Sequence, residues 1–145
     1  MSYTQKHGIN IGSWLCWGDR TLEERAAWFT ETDINRLRDA GFDHLRYCLR
    51  DIYLWDDEDQ LSPRAVEILR KGIDTALSAG LNVSVNLHHL RIHQFNDLIE
   101  PPLYTDPAAQ EKFAQYWWDV LNALHDYSTD RVAFEFLNEP VARDN

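Results

Sequence analysis

Short apolar runs alternate with amphipathic stretches along the whole chain. The first run, His7 to Trp14 (HGINIGSW), carries β-prone residues between glycines and predicts a strand. A loop follows, with mixed charges from Gly18 to Arg25. A helix is expected from Thr30 or Thr32, with Ile34 and Leu37 on one face and Gly41 as its stop. Asp43 to Leu49 (DHLRYCL) predicts a second strand, and the acidic run Asp56 to Asp59 a solvated turn. Ser62-Pro63 then opens a helix by the rule of a capping serine and a proline at the first helical position. Val66, Leu69, Ile73 and Leu77 form its expected buried stripe, and Gly80 ends it. Asn82 to Leu87 (NVSVNL) is the third strand. Asp106-Pro107 opens a third helix with Phe113, Trp117, Val120, Leu121 and Leu124 at helical spacing, which makes Trp117 a core residue. Val132 to Leu137 (VAFEFL) is the fourth strand.

Strands alternating with helices imply βαβ units and a parallel sheet. A doubly wound sheet and a (β/α)₈ TIM barrel both fit this order. No GxGxxG or GxxxxGK[ST] follows the first strand, and the chemically interesting residues gather past the ends of strands two, three and four. In a barrel those ends converge on one mouth, so the α/β barrel is the expected architecture. Such a barrel needs ~250 residues, and four strands with three helices make about half of one. Residues 1–145 therefore read as a single domain segment, the N-terminal half-barrel.

Arg46 lies on strand two, His88 and His89 end strand three, and Asn138-Glu139-Pro140 follows strand four. Parallel strands bring these side chains together although they are distant in sequence. A carboxyl group among hydrogen-bonding neighbours suits a general acid, which must hold a proton for a leaving group. Glycosidic oxygen leaves poorly until protonated, so the arrangement suits sugar-bond cleavage, with Asn138 binding the hydroxyl beside the reacting carbon. Glu135 lies four residues before Glu139, about 13 Å along a strand, too far for a catalytic pair. It is expected to point into the barrel and pair with a base such as Arg46. Asp51, Asp97 and Glu100 lie in loops that the sequence does not place.

Composition narrows the partners. The net charge of −10 disfavours nucleic acid and anionic membrane. The first residues lack an apolar signal-like region, so the chain as given reads as cytoplasmic, or as secreted if a signal has been removed. Cys16 and Cys48 are expected as two free thiols, with a single bridge as the alternative. Trp14, Trp17 and Trp55 follow strands one and two, where sugar stacking and loop packing are equally open to each. Trp28 and Trp118 read as packing. His88, His89 and His93 invite a metal reading, but strand neighbours point to opposite faces and no HExxH is present, so no metal is expected.

HGINIGSWL, TDINRLRDAGFDHLRY, LNVSVNLHH and FEFLNEP, in that order and spacing, resemble the successive strand motifs of glycoside hydrolase family 5. These are the cellulase-like retaining β-glycosidases. The resemblance implies a (β/α)₈ barrel with no metal or organic cofactor and a β-linked glucan- or mannan-like substrate. It gives Glu139 the acid/base role, Asn138 the role of the preceding asparagine, Arg46 that of the supporting arginine and His88 that of the strand-three histidine. His89 is its neighbour. Cys48 stands where the family often has proline. The family's nucleophilic glutamate comes from a seventh strand, which this chain does not supply, so the isolated chain is expected to be inactive. Open strand edges predict self-association or complementation by a C-terminal half-barrel. The alternatives are a catalytically inactive remnant that binds carbohydrate or assembles with a partner, and a metal-dependent barrel hydrolase.

Overall fold

The computed structural model describes residues 3, 5–93 and 100–140. Four strands form one parallel sheet in the order β1-β2-β3-β4: β1 (Gly8–Ile11), β2 (His44–Arg50), β3 (Asn82–His89) and β4 (Val132–Glu135). Between them run α1 (Gly12–Leu15), α2 (Leu22–Trp28) and α3 (Glu31–Asp39), then α4 (Asp51–Leu54) and α5 (Pro63–Ser78), then α6 (Pro102–Thr105) and α7 (Pro107–Leu124).

The register explains how one sheet serves both core and chemistry. Ile9, Leu45, Val83 and Val132 lie side by side across the four strands, as do Ile11, Tyr47, Val85 and Phe134. Successive side chains on a strand point to opposite faces, so these two rows share the face that the helices cover. Leu45, Tyr47, Leu49, Val83, Val85 and Leu87 are fully buried there, and each such side chain contributes roughly 1.5–3 kcal/mol. The rows between them are mostly polar: Asn10, Arg46 and Ser84 with Ala133, then Cys48, Asn86 and Glu135. That second face leads to the strand ends.

Local signals set the helix starts. Ser62 Oγ accepts from Ala65 N, with Pro63 in the first turn of α5, and Asp106 caps α7 ahead of Pro107. Gly41 and Gly80 follow α3 and α5 with φ of 92° and 89°, the left-handed stop that glycine adopts without strain. The Asp33 carboxylate accepts from both Thr30 N and Thr30 Oγ1 at the start of α3.

Several expectations are corrected. The first strand stops at Ile11, and Gly12–Leu15 turns into a short helix, so Trp14 leaves the strand path. The stretch read as a loop contains α2, started by a capping box in which Thr21 and Glu24 satisfy each other's backbone. On α5 the buried stripe is Ala65, Ile68, Leu69, Gly72, Ile73 and Ala76, with Val66 and Leu77 only half-buried. On α7, Trp117 is core as expected, but Leu121 is exposed and Tyr116 is buried in its place. Asp59 is not merely solvated: it pairs with Lys112 at 2.7 Å. Cys16 and Cys48 are buried free thiols.

Candidate active site

Arg46 is the centre of the polar face. Its Nε and Nη2 donate to the two carboxylate oxygens of Glu135 at 2.6 and 2.5 Å. Nη2 also donates to Asn138 Oδ1 at 3.1 Å, and Nη1 to Asn10 Oδ1 at 3.3 Å. One guanidinium thus ties β1, β2, β4 and the turn after β4, using the planar fork that a lysine lacks. Glu135 pairs with Arg46 as the sequence predicts, and both of its oxygens are occupied.

The turn after β4 presents Glu139. Its φ of 45° lies in the left-handed region, which a non-glycine residue seldom takes. Such conformations concentrate at functional sites, where surrounding structure holds them. Here the turn is held by Asn138, whose N–H bonds Leu87 O at 3.3 Å while its side chain is fixed by Arg46.

On β3 the hydrogen bonds choose a tautomer for His88. Asn86 Nδ2 donates to the Glu135 carbonyl at 3.2 Å, which turns Asn86 Oδ1 towards His88 Nδ1 at 2.9 Å. Nδ1 therefore carries the proton, and the 3.3 Å approach of Arg46 Nη1 to the same atom is a contact between two donors. Nε2 is left as an acceptor. His88 and His89 are strand neighbours, yet both lie against Trp17, at ring distances of 6.0 and 5.0 Å. A register shift at Leu49/Arg50, which pairs Arg50 with His89, lets both reach the mouth.

A cleft of about 460 Å³ opens over these groups, lined by Asn10, Trp17, Arg46, His88, His89, His93, Asn138 and Glu139. The sequence candidates Glu139, Asn138, Arg46, His88, His89 and Trp17 are all brought together. Trp14 is not. It is 2% exposed, with its indole N–H on Arg25 O and its ring against Gly72, where an added Cβ would come within 2.2 Å. Nor is Trp55, which stacks on Tyr116 and donates to Asp119. Asp51 is buried and holds the loop after β3, accepting from Arg91 N and Nε at 2.9 and 3.1 Å. Asp97 lies outside the described residues. One lining residue, Asn10, was missed, and His93 was weighed only as a metal ligand. Strand parity with Gly8 and Gly12 could have found Asn10. His93 is in the loop, buried, with Nε2 against Tyr104 Oη at 3.0 Å.

Burial pushes His88, His89 and His93 below their ordinary value of 6.5. Arg46 adds to the effect on His88 and Arg50 to that on His89, while Glu139 pulls His88 and His93 the other way. The folded chain then binds fewer protons than the unfolded chain between these lowered values and 6.5. Stability is full above pH 6.5 and is lost as pH falls through that window. The melting temperature is expected to be lower at pH 5.5 than at pH 7.5, by roughly 3 °C. A flat thermal-unfolding profile over that range would count against the buried-histidine account.

The family model described as Cellulase (glycosyl hydrolase family 5) matches residues 3–145. Endoglucanase C of Acetivibrio thermocellus is 27% identical over 143 residues, covering 97% of this chain and 41% of that protein. Cellodextrinase A of Ruminococcus flavefaciens is 27% identical over 134 residues, covering 91% and 39%. The chain thus spans about two fifths of the length of the curated relatives it matches. Among solved structures, a broad-specificity endoglucanase from Clostridium longisporum superposes with a TM-score of 0.74 at 22% identity, over 97% of this chain and 42% of that one. Cel5A of Thermotoga maritima, solved with cellobiose, gives 0.70 at 27% identity over 94% and 41%. The family match takes in almost the whole chain, and the chain belongs to glycosyl hydrolase family 5, the cellulase family.

Proposed function

We propose that this chain carries the acid/base half of a retaining β-glycoside hydrolase that cuts β-linked glucan or mannan. The observation that carries the reading is Glu139, turned out after β4 into a cleft shared with His88 and with an Asn138 amide fixed by Arg46. In the first step Glu139 donates its proton to the glycosidic oxygen as the bond from that oxygen to the anomeric carbon breaks. A carboxylate nucleophile takes the carbon from the opposite face. In the second step Glu139 removes a proton from water, which attacks the same carbon and releases the nucleophile. Asn138 Oδ1 is occupied by Arg46, so its Nδ2 remains to donate to the hydroxyl beside the reacting carbon, and His88 Nε2 to accept from another. Glu135 and Asp51 have both oxygens engaged, so neither is proposed as the nucleophile, a role that the family resemblance gives to a glutamate on the seventh strand of a full barrel.

The substrate class is drawn from the relatives: endoglucanase and cellodextrinase by name, and a Thermotoga maritima enzyme solved with cellobiose and with mannotriose. The test is the stereochemistry of cleavage in the native gene product. Proton NMR of cellotetraose hydrolysis is expected to show the β-anomer of the new reducing end first, relaxing to the mixture afterwards. First appearance of the α-anomer would overturn the two-step reading.

A further inference from the structure

Arg25 is a buried cation that the catalytic network does not use. It is 0% exposed and, among the described residues, pairs with no carboxylate. Its guanidinium instead gathers backbone carbonyls: Nη1 donates to Trp14 O at 2.6 Å and to Trp17 O at 3.2 Å, Nη2 to Gly18 O at 2.6 Å, and Nε to Arg20 O at 2.9 Å. The Tyr53 ring lies 3.7 Å from the guanidinium carbon, and Tyr53 Oη donates to Gly18 O at 2.6 Å. Taking an arginine out of water without a counter-ion is expensive. Here that cost fixes one object, the loop from Trp14 to Arg20.

The loop carries Trp17 to the cleft. Trp17 is 43% exposed and is the one indole lining the cleft that holds Glu139. Its ring is tilted by 33° to that of His89 and stands edge-on to His88, at 87°. A Cβ on Gly12 would come within 3.3 Å of Trp17 Cδ1, so the glycine leaves the indole room. Trp17 N–H bonds Gly12 O, closing the loop from its other side. An exposed indole with a fixed backbone is a low-entropy surface for the apolar C–H face of a pyranose ring.

We infer that Trp17 is a sugar-stacking platform beside Glu139 and that Arg25 is the positioning residue that holds it there. The inference rests on the glycosidase reading above and adds the residues that bind a glucosyl or mannosyl unit next to the cleavage point. The platform binds ground state and transition state alike, so its loss appears in KM and not in kcat.

The test measures kcat and KM on cellotetraose with the native gene product. Trp17→Ala is expected to raise KM about 10-fold, the equivalent of ~1.4 kcal/mol, with kcat within about twofold. Trp17→Phe should recover most of the loss. Arg25→Lys keeps the charge but cannot serve four carbonyls, and should raise KM to a similar extent, with no further rise in the double variant Arg25→Lys/Trp17→Ala. Should Arg25→Lys fail to fold, Tyr53→Phe removes only the hydroxyl on Gly18 O and should raise KM about threefold, a fraction of the tenfold effect. An unchanged KM in Trp17→Ala, with turnover still dependent on Glu139, would overturn the platform and leave the glycosidase reading standing. A lower melting temperature without a KM change in Arg25→Lys, or in Tyr53→Phe if that variant is used, would overturn the positioning role. Full turnover in Glu139→Gln would instead remove the catalytic reading itself.

Discussion

In the native gene product, Glu139→Gln will lower turnover of an unactivated β-glycoside by about 1,000-fold, within the range that a positioned general acid supplies. Glutamine keeps the size and hydrogen-bonding reach of the side chain but has no proton to give, so binding should be little changed. The diagnostic outcome is the dependence on leaving group. An alkyl or sugar alcohol leaves only when protonated, whereas dinitrophenolate leaves unaided. With a dinitrophenyl β-cellobioside the first step should therefore survive in the variant, and the second, which needs a base to activate water, should become limiting. Rapid-mixing kinetics should show a burst of dinitrophenol followed by a slow steady state. An equal loss for both leaving groups would mean that Glu139 supports the site without transferring the proton.

The features legible in the sequence were those set by local pattern. The parity of NVSVNL against HLRYCL separates Val83, Val85, Leu45 and Leu49 from Ser84, Asn86 and Arg46, because strand side chains alternate whatever surrounds them. Ser62-Pro63 and Asp106-Pro107 mark helix starts for equally local reasons. Glu139, Asn138, Arg46 and His88 meet at one cleft, as the sequence led us to expect, because strand ends in a parallel sheet converge regardless of the intervening loops.

What escaped depended on the partner across the fold. INIGSW is apolar as a strand and equally so as a strand followed by a helical turn, and the choice rests on Gly72 leaving space for the Trp14 indole. Trp55 and Trp17 follow strands in the same way. One is buried because Tyr116 offers it a ring, and the other reaches the cleft because Arg25 holds its loop. Arg25 itself looked like one charge among several in the stretch from Gly18 to Arg25. Its role is carried by backbone carbonyls, which leave no mark in a sequence.

The Arg46–Glu135 pair separates support of the fold from support of the chemistry. Arg46→Met leaves the half-exposed Glu135 carboxylate without its two donors, and should destabilise the protein by about 1 kcal/mol. It also releases Asn138 and the Asn10 amide, and a displacement of about 1 Å at a reacting group can cost 100-fold in rate. Turnover should therefore fall about 100-fold. Adding Glu135→Leu removes the unpaired carboxylate, and replacing both partners of a half-buried ion pair by apolar groups is often neutral for stability. In Arg46→Met/Glu135→Leu, urea unfolding should accordingly return most of the lost stability, while kcat stays at the level of the single variant. Recovery of both together would reduce the pair to a structural tie, and recovery of neither would place the cost in lost packing of the arginine stem. Stability restored without activity is the outcome that follows from the geometry, because the guanidinium holds Asn138 beside Glu139 and no apolar pair can do so.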